Sequence, residues 1–348
     1  MKKYISLLVA VCGALFLFSG CSEKKPELHL YNWVDYINPE SIQRFEEKYN
    51  CKVVVDYFDS NEAMYAKLKA GATGFDVVFP SSYQSGIMNQ EGMLLPMDAS
   101  KMPNLQLVDK EFLKYTAVDK TMSYSVPYMT GATVLAYRES KVPDFVPSWN
   151  VFLREDLKGR MTLLNDMRET IGAALITLGY SVNTTDEAQL AQAEEIVRGW
   201  KANIAKFENE GYKAGIGSGE FVVVHGYAGD LMQVIEENED YDIKLALPKE
   251  GTTVWVDDMV ILKNAPDVEL AYAFVNFMHD PEIAKLNMEF NYIQCPNVEG
   301  YKIVDPELKE DPILFLPDEM RSKAEQILDL GEDLPKYTKV WDRIKSTN

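Results

Sequence analysis

Between Leu28 and Phe79 the hydrophobic pattern changes period four times, and that rhythm restricts the fold more than any other feature of the sequence. Leu28 to Trp33 reads as a strand. Pro39 opens a helix on which Ile42, Phe45 and Tyr49 recur at helical spacing. Lys52 to Phe58 is rich in β-branched residues, and Ser60 suits the N-cap of a helix that carries Met64 and Leu68 and ends before Gly71. Phe75 to Phe79 makes a third strand, stopped by Pro80. Strand, helix, strand, helix and strand in about fifty residues imply parallel pairing through right-handed crossovers. The class is α/β.

The same rhythm resumes beyond residue 130. Strands are expected at Thr133 to Tyr137, Met161 to Leu164, Phe221 to Val224 and Tyr241 to Leu247. Helices are expected near Trp149 to Leu153, Thr170 to Leu178, Asp186 to Trp200, Gly229 to Glu237, Leu270 to Met278 and Pro281 to Phe290. Gly215-Ile216-Gly217-Ser218-Gly219 lacks the Lys-Ser/Thr ending of a phosphate loop and reads as a turn. With 348 residues, 47% of them hydrophobic, the chain is long enough to bury two cores.

The N-terminus bears on location. Met1-Lys2-Lys3 is a basic start, Ile5 to Phe18 is apolar but short for a membrane span, and Ser19-Gly20-Cys21 closes it with small residues. This resembles a bacterial lipoprotein signal: residues 1–20 as the signal peptide, Cys21 as the lipidated first residue, and 21–26 as a tether. An ordinary secretory signal or an uncleaved anchor is the alternative. Either places the protein outside the cytoplasm, in the periplasmic space or at the cell surface, and lipid on Cys21 would join it to a membrane.

Several functions are disfavoured by composition. A formal net charge of −19 opposes nucleic acid, whose phosphates call for stripes of Lys and Arg, and it attracts cations. His29, His225 and His279 are scattered, with neither H-E-x-x-H nor C-x-x-C spacing for a metal. No G-x-S-x-G elbow or nucleophile–base pairing is legible, so no catalytic residue is assigned and a hydrolase is the weaker reading. Beyond Cys12 and Cys21, Cys51 and Cys295 form either one disulfide or two buried thiols.

Trp33-Val34-Asp35-Tyr36 stands where the first strand gives way to a helix, the place where ligands gather in open α/β sheets. Rings beside a carboxylate suit an elongated organic cation, with ring faces for methylenes and negative oxygens for ammonium groups. Trp255-Val256-Asp257 repeats that chemistry more than two hundred positions later. A receptor for an anion or an amino acid would instead present Arg or helix N-termini.

Taken in order, several segments resemble the polyamine receptors of bacterial ABC importers, the spermidine/putrescine-binding proteins, across the whole mature length. They are Tyr31-Asn32-Trp33-Val34-Asp35-Tyr36, Ser60 through Leu68, Pro80-Ser81-Ser82-Tyr83, Val126-Pro127-Tyr128, Gly131-Ala132-Thr133, and Trp255-Val256-Asp257 behind Pro248-Lys249-Glu250-Gly251. The resemblance implies the two-lobed type II periplasmic binding protein fold, with chain crossings near 128–131 and 254–258. Lobe 1 would hold residues 27–130 and 257–300, and lobe 2 residues 131–256 and 301–348. It also implies a polyamine ligand (putrescine or spermidine), permease and ATPase partners, a monomer, and no enzymatic activity or cofactor. Binding of another cationic solute, or service as a sensory subunit, are the alternatives.

Ligand-contacting positions carry over residue by residue. Trp33 and Tyr36 match members of an aromatic box, with Asp35 as a nearby acid; Ser81 and Tyr83 match a hydroxyl and a ring on the next loop. Asp166 and Glu169 match an acidic pair at a helix start, Tyr227 stands where Trp is common, and Asp230 resembles the branch that prefers putrescine. Trp255 and Asp257 anchor one ammonium group. Ile293 replaces a frequent Tyr, so that either one wall of the box is lost or Tyr292 beside it supplies the wall; Ile327 replaces a Gln, with Gln326 adjacent; Thr130 replaces a frequent Trp. Local structure offers competing roles for some of these acids. Asp35 and Asp166 suit helix N-caps, Glu169 completes a capping box with Asp166, and Asp230 complements a helix dipole.

Overall fold

A computed structural model describes residues 24–116, 118–238 and 242–346. Cys21, the signal peptide and the start of the tether lie outside the described residues. Among the described residues ten strands join in one sheet: β1 (Glu27–Asn32), β2 (Lys52–Tyr57), β3 (Val77–Val78), β4 (Val126–Arg138), β5 (Met161–Leu164), β6 (Lys206–Glu208), β7 (Val223–Tyr227), β8 (Ile243–Ala246), β9 (Thr253–Ile261) and β10 (Glu325–Gln326). Their order is β2-β1-β3-β9-β4-β7-β5-β6, with β8 beside β4 and β10 beside β9. β1 pairs in parallel with β2 and β3, as the opening alternation predicts.

Two strands join the halves of the sheet. β4 faces β9 along Val126–Ala132, then turns its second half, Thr133–Arg138, to β7 and β8. β9 runs antiparallel to β4 at its start and to β3 at its end. The buried apolar side chains divide accordingly. Leu28, Phe45, Phe79, Met259 and Phe274 belong to one core; Trp149, Leu163, Val197, Val223 and Tyr337 belong to another. Tyr301 and Val304 pack in the first core, slightly past residue 300, whereas the helix Leu334–Ser346 packs in the second.

Local signals placed most elements. Asn38 accepts from the Glu40 amide ahead of helix Pro39–Tyr49, and Ser60 accepts from the Ala63 amide ahead of helix Asn61–Lys69. Phe75 to Phe79 shrinks to the two residues of β3, and 149–153 is a 3₁₀ turn. The glycine run is a correction. Gly211–Ser218 is helical and ends at Gly219, with φ +79°. A methyl group on Gly215 would lie 2.2 Å from the Phe221 ring, so this glycine permits close helix–strand approach rather than a turn. Cys51 and Cys295 are free, buried thiols; burial pushes Cys295 up to about 12. No helix among the described residues is long and apolar enough to cross a membrane.

Candidate ligand-binding site

Asp257 is the centre of the site. It lies in the middle of β9, not at a strand end as its sequence setting suggests, and is 6% exposed. The Tyr36 hydroxyl donates to Oδ2 at 2.7 Å and the Ser81 hydroxyl to Oδ1 at 2.7 Å. Asn61 holds Ser81 in turn. Its Nδ2 donates to Ser81 Oγ at 3.0 Å, and its Oδ1 accepts from the Ser81 amide at 3.0 Å. The Tyr128 hydroxyl donates to the Tyr36 carbonyl at 2.8 Å. Burial raises Asp257 to about 6 although both hydroxyls favour its charge. The neighbouring Asp258, on the other face of the strand, accepts from Ser82 at 2.9 Å and is raised by burial to about 7.

A second group is built around Asp166 and Glu169. Asp166 caps helix Met167–Thr177, accepting from the Arg168 and Glu169 amides at 2.8 and 3.0 Å, so its capping role is real. Glu169 does not complete a capping box. Its carboxylate turns to the hydroxyls of Thr253 on β9 and Thr133 on β4, the latter at 3.2 Å. It is 4% exposed, and burial followed by the Asp166 charge pushes it well up. Tyr227 precedes helix Ala228–Glu236, half-buried and within charge range of Asp166 and Glu169. Tyr83 lies within charge range of both groups: its hydroxyl is raised first by burial and then by Glu62, Asp166 and Asp257, with Arg168 opposing.

Asp230 sits in the first turn of Ala228–Glu236, half-buried, and accepts from the Tyr212 hydroxyl at 2.7 Å. Asp35, with φ +53°, is exposed on the other side, within charge range of Asp230. Asn38, not Asp35, caps the following helix. Trp33 packs on Phe58 at 4.3 Å between centroids and shares a hollow with Asp35 and Tyr36. Trp255 lies over Gly131, where a methyl group would come within 2.5 Å of the ring.

Tyr292 stands apart. It ends helix Pro281–Asn291 with φ +54°, and the charges around its hydroxyl are Glu236 and Glu289 rather than the acids above. Ile293 is the residue that reaches across, within 2.6 Å of where a Gly229 methyl would sit, so the wall here is aliphatic. Gln326 lies along the hollow behind the crossing strands, beside Thr130 and Val254. Sequence reasoning missed Glu62, whose carboxyl is raised by burial and by Asp166, and Asn61 behind Ser81. Both follow the Ser60 cap, but nothing in their spacing announces a ligand.

The fold is that of a two-lobed binding protein, and its candidate site residues are carboxylates and rings. The chain belongs to the bacterial extracellular solute-binding proteins, whose family model matches residues 40–315. It is 31% identical over 362 residues to the putrescine/cadaverine-binding protein of Pseudomonas aeruginosa, covering 99% of each chain. To the spermidine/putrescine-binding periplasmic protein of Salmonella typhimurium it is 32% identical over 349 residues, again covering 99% of each. The crystal structure of the TpPotD lipoprotein of Treponema pallidum superposes with a TM-score of 0.83 at 35% identity, covering 91% of this chain and 99% of that one.

Proposed function

We propose that this protein is an extracytoplasmic receptor that closes on a polyamine, putrescine or spermidine, and delivers it to the permease and ATPase subunits of an ABC importer. Lipid on Cys21 would hold it at a membrane, and it turns over no substrate. Residues 27–130 and 257–300 would form the first lobe, 131–256 and 301–348 the second, hinged where β4 and β9 run side by side.

One observation carries the reading. Asp257 is a buried carboxylate bonded by two neutral donors, with no ion pair among the described residues, and Tyr83 lies within charge range of both Asp257 and Asp166. A buried acid of this kind is costly to ionise alone and gains most from a desolvated ammonium group. Arg168, the cation nearest Asp166 in sequence, is committed elsewhere. It donates to the Leu328 carbonyl at 2.9 Å and to Asn183 Oδ1 at 2.7 Å, and stacks on Tyr337. Among the described residues Arg168 therefore forms no ion pair with Asp166 or Glu169, although its charge reaches both. Each alkyl CH₂ buried against Tyr36, Tyr83, Tyr227 and Trp255 would add roughly 0.8 kcal/mol, and each ring face on the order of 0.5–2 kcal/mol per cation.

Calorimetry with putrescine, cadaverine, spermidine and a set of amino acids tests this. Tight, saturable heat with a diamine or triamine and none with amino acids is expected. Silence with every polyamine would sink the reading.

A further inference from the structure

Threonine hydroxyls cluster where the two crossing strands part, beside a candidate ligand acid. Thr133 is the point at which β4 leaves β9 and pairs with Tyr227 of β7, and Thr253 is the first residue of β9. Thr133, Thr252 and Thr253 are all buried. Each hydroxyl has a single proton to give. Thr252 gives its own to the Thr133 carbonyl at 2.6 Å. Thr133 Oγ1 lies 2.7 Å from Thr253 Oγ1 and 3.2 Å from Glu169 Oε2, and Thr253 donates to that same Oε2. Every proton is placed when Thr133 donates to Thr253 and Thr253 to Glu169. Glu169 Oε1 accepts no hydrogen bond among the described residues. The Thr253 methyl is held as well: it lies 3.5 Å from where a methyl on Gly172 would sit, a turn along helix Met167–Thr177 from Glu169.

We propose that Thr133 and Thr253 are positioning residues for ligand binding, a hydroxyl relay that holds Glu169 by Oε2 and presents Oε1 to the ligand. The proposal rests on the polyamine reading. Burial, and after it the Asp166 charge, oppose ionisation of Glu169, whereas the Thr253 and Thr133 hydroxyls and then Arg168 favour it. Tyr227, opposite Thr133, also lies within charge range of Glu169. A hydrogen bond given to an ionised group is stronger than one between neutral groups, so these hydroxyls matter most when the carboxylate is charged. The donors come from separate strands of the crossing. The carboxylate is therefore oriented by the assembled crossing rather than by its own helix.

The test is calorimetry of the full protein with putrescine and spermidine at several pH values, comparing the parent with Thr253→Val, Thr253→Ser, Thr133→Val and Thr162→Val. Thr162 is buried on β5, its hydroxyl has no hydrogen-bond partner among the described residues, and it controls for the loss of a buried hydroxyl as such. Thr253→Val is expected to weaken polyamine binding about tenfold at neutral pH and Thr133→Val about threefold, while Thr253→Ser and Thr162→Val keep the parental affinity. The loss in the valine variants should shrink as pH rises from about 6 to about 9, because Glu169 then ionises without help from the donors. An unchanged affinity in Thr253→Val, a loss of the same size at every pH, or an equal loss in Thr253→Ser would overturn the assignment. Circular dichroism checks the fold of each variant, and if Thr253→Val does not fold, Thr133→Val decides by the same pH criterion. Should the parent bind neither amine, the polyamine reading fails and this inference with it. Should the parent bind and Thr253→Val match it, only the threonine relay fails.

Discussion

The tripeptide Trp-Val-Asp occurs twice, at 33–35 and at 255–257, and its two copies meet different surroundings. In the first, the strand has just ended: Val34 is 60% exposed and Asp35 is exposed in a left-handed conformation. In the second, the strand runs on through the crossing between the lobes: Val256 is 3% exposed and Asp257 is buried between two hydroxyls. Each indole N–H is buried without a partner, so both tryptophans offer ring surface rather than a hydrogen bond already in use. The contrast teaches that residue identity sets what an acid can hold, while burial sets how strongly. The exposed copy is suited to attract a cation to the mouth of the cleft, and the buried one to grip it.

The largest difference between the copies should appear in affinity. Asp257→Asn leaves a ligand ammonium buried without its anion and should weaken polyamine binding roughly 100-fold or more, on the order of 3 kcal/mol. Asp35→Asn should cost no more than about 1 kcal/mol, as exposed pairs do. Comparable losses in both variants, measured by calorimetry, would dissolve the distinction.

Stability should move the opposite way. Asp257 is raised in the folded protein to about 6, so above its unfolded value of about 4 the native state holds a proton that the unfolded chain has released. The group thus lowers the stability of the empty receptor as pH rises from about 4 to 6. Asp258, raised to about 7, extends the same effect upward. Asp257→Asn should therefore stabilise the empty protein at neutral pH by on the order of 2 kcal/mol and have little effect near pH 4. Thermal unfolding of parent and variant across that range checks the sign, and a gap that widens toward acid would contradict it.

A smaller effect than that of Asp257→Asn concerns the ring. Gly131→Ala places a methyl group 2.5 Å from Trp255 Cζ2, so the indole must shift. Affinity should fall about tenfold, close to 1.4 kcal/mol, with circular dichroism unchanged. An unaltered affinity would show that the position of this ring is immaterial to binding.

Much of the first lobe was legible because its signals are local. Pro39, Ser60 and the β-branched run after Lys52 act over one or two turns, and β1, β2 and the helix that follows each of them stand where these residues put them. Legibility failed where a partner distant in sequence decides. Gly215 looks like a turn residue until the Phe221 ring is seen against it. Glu169 looks like half of a capping box until Thr133 and Thr253 arrive from the two crossing strands. Tyr292 and Ile293 are neighbours, and only the packing on Gly229 tells which one reaches across.

From its sequence alone, this chain is committed to an alternating α/β architecture, an acidic surface, and two sites where an indole and a carboxylate come together. Those properties depend on residue type and short-range spacing, which folding does not alter. Tertiary structure alone decided that Asp257 would be buried and Asp35 exposed, that Tyr36 would donate across 221 positions, and that Thr133 and Thr253 would meet at Glu169. Solvent access and charge pairing are properties of space, and space between distant residues exists only once the sheet has joined them.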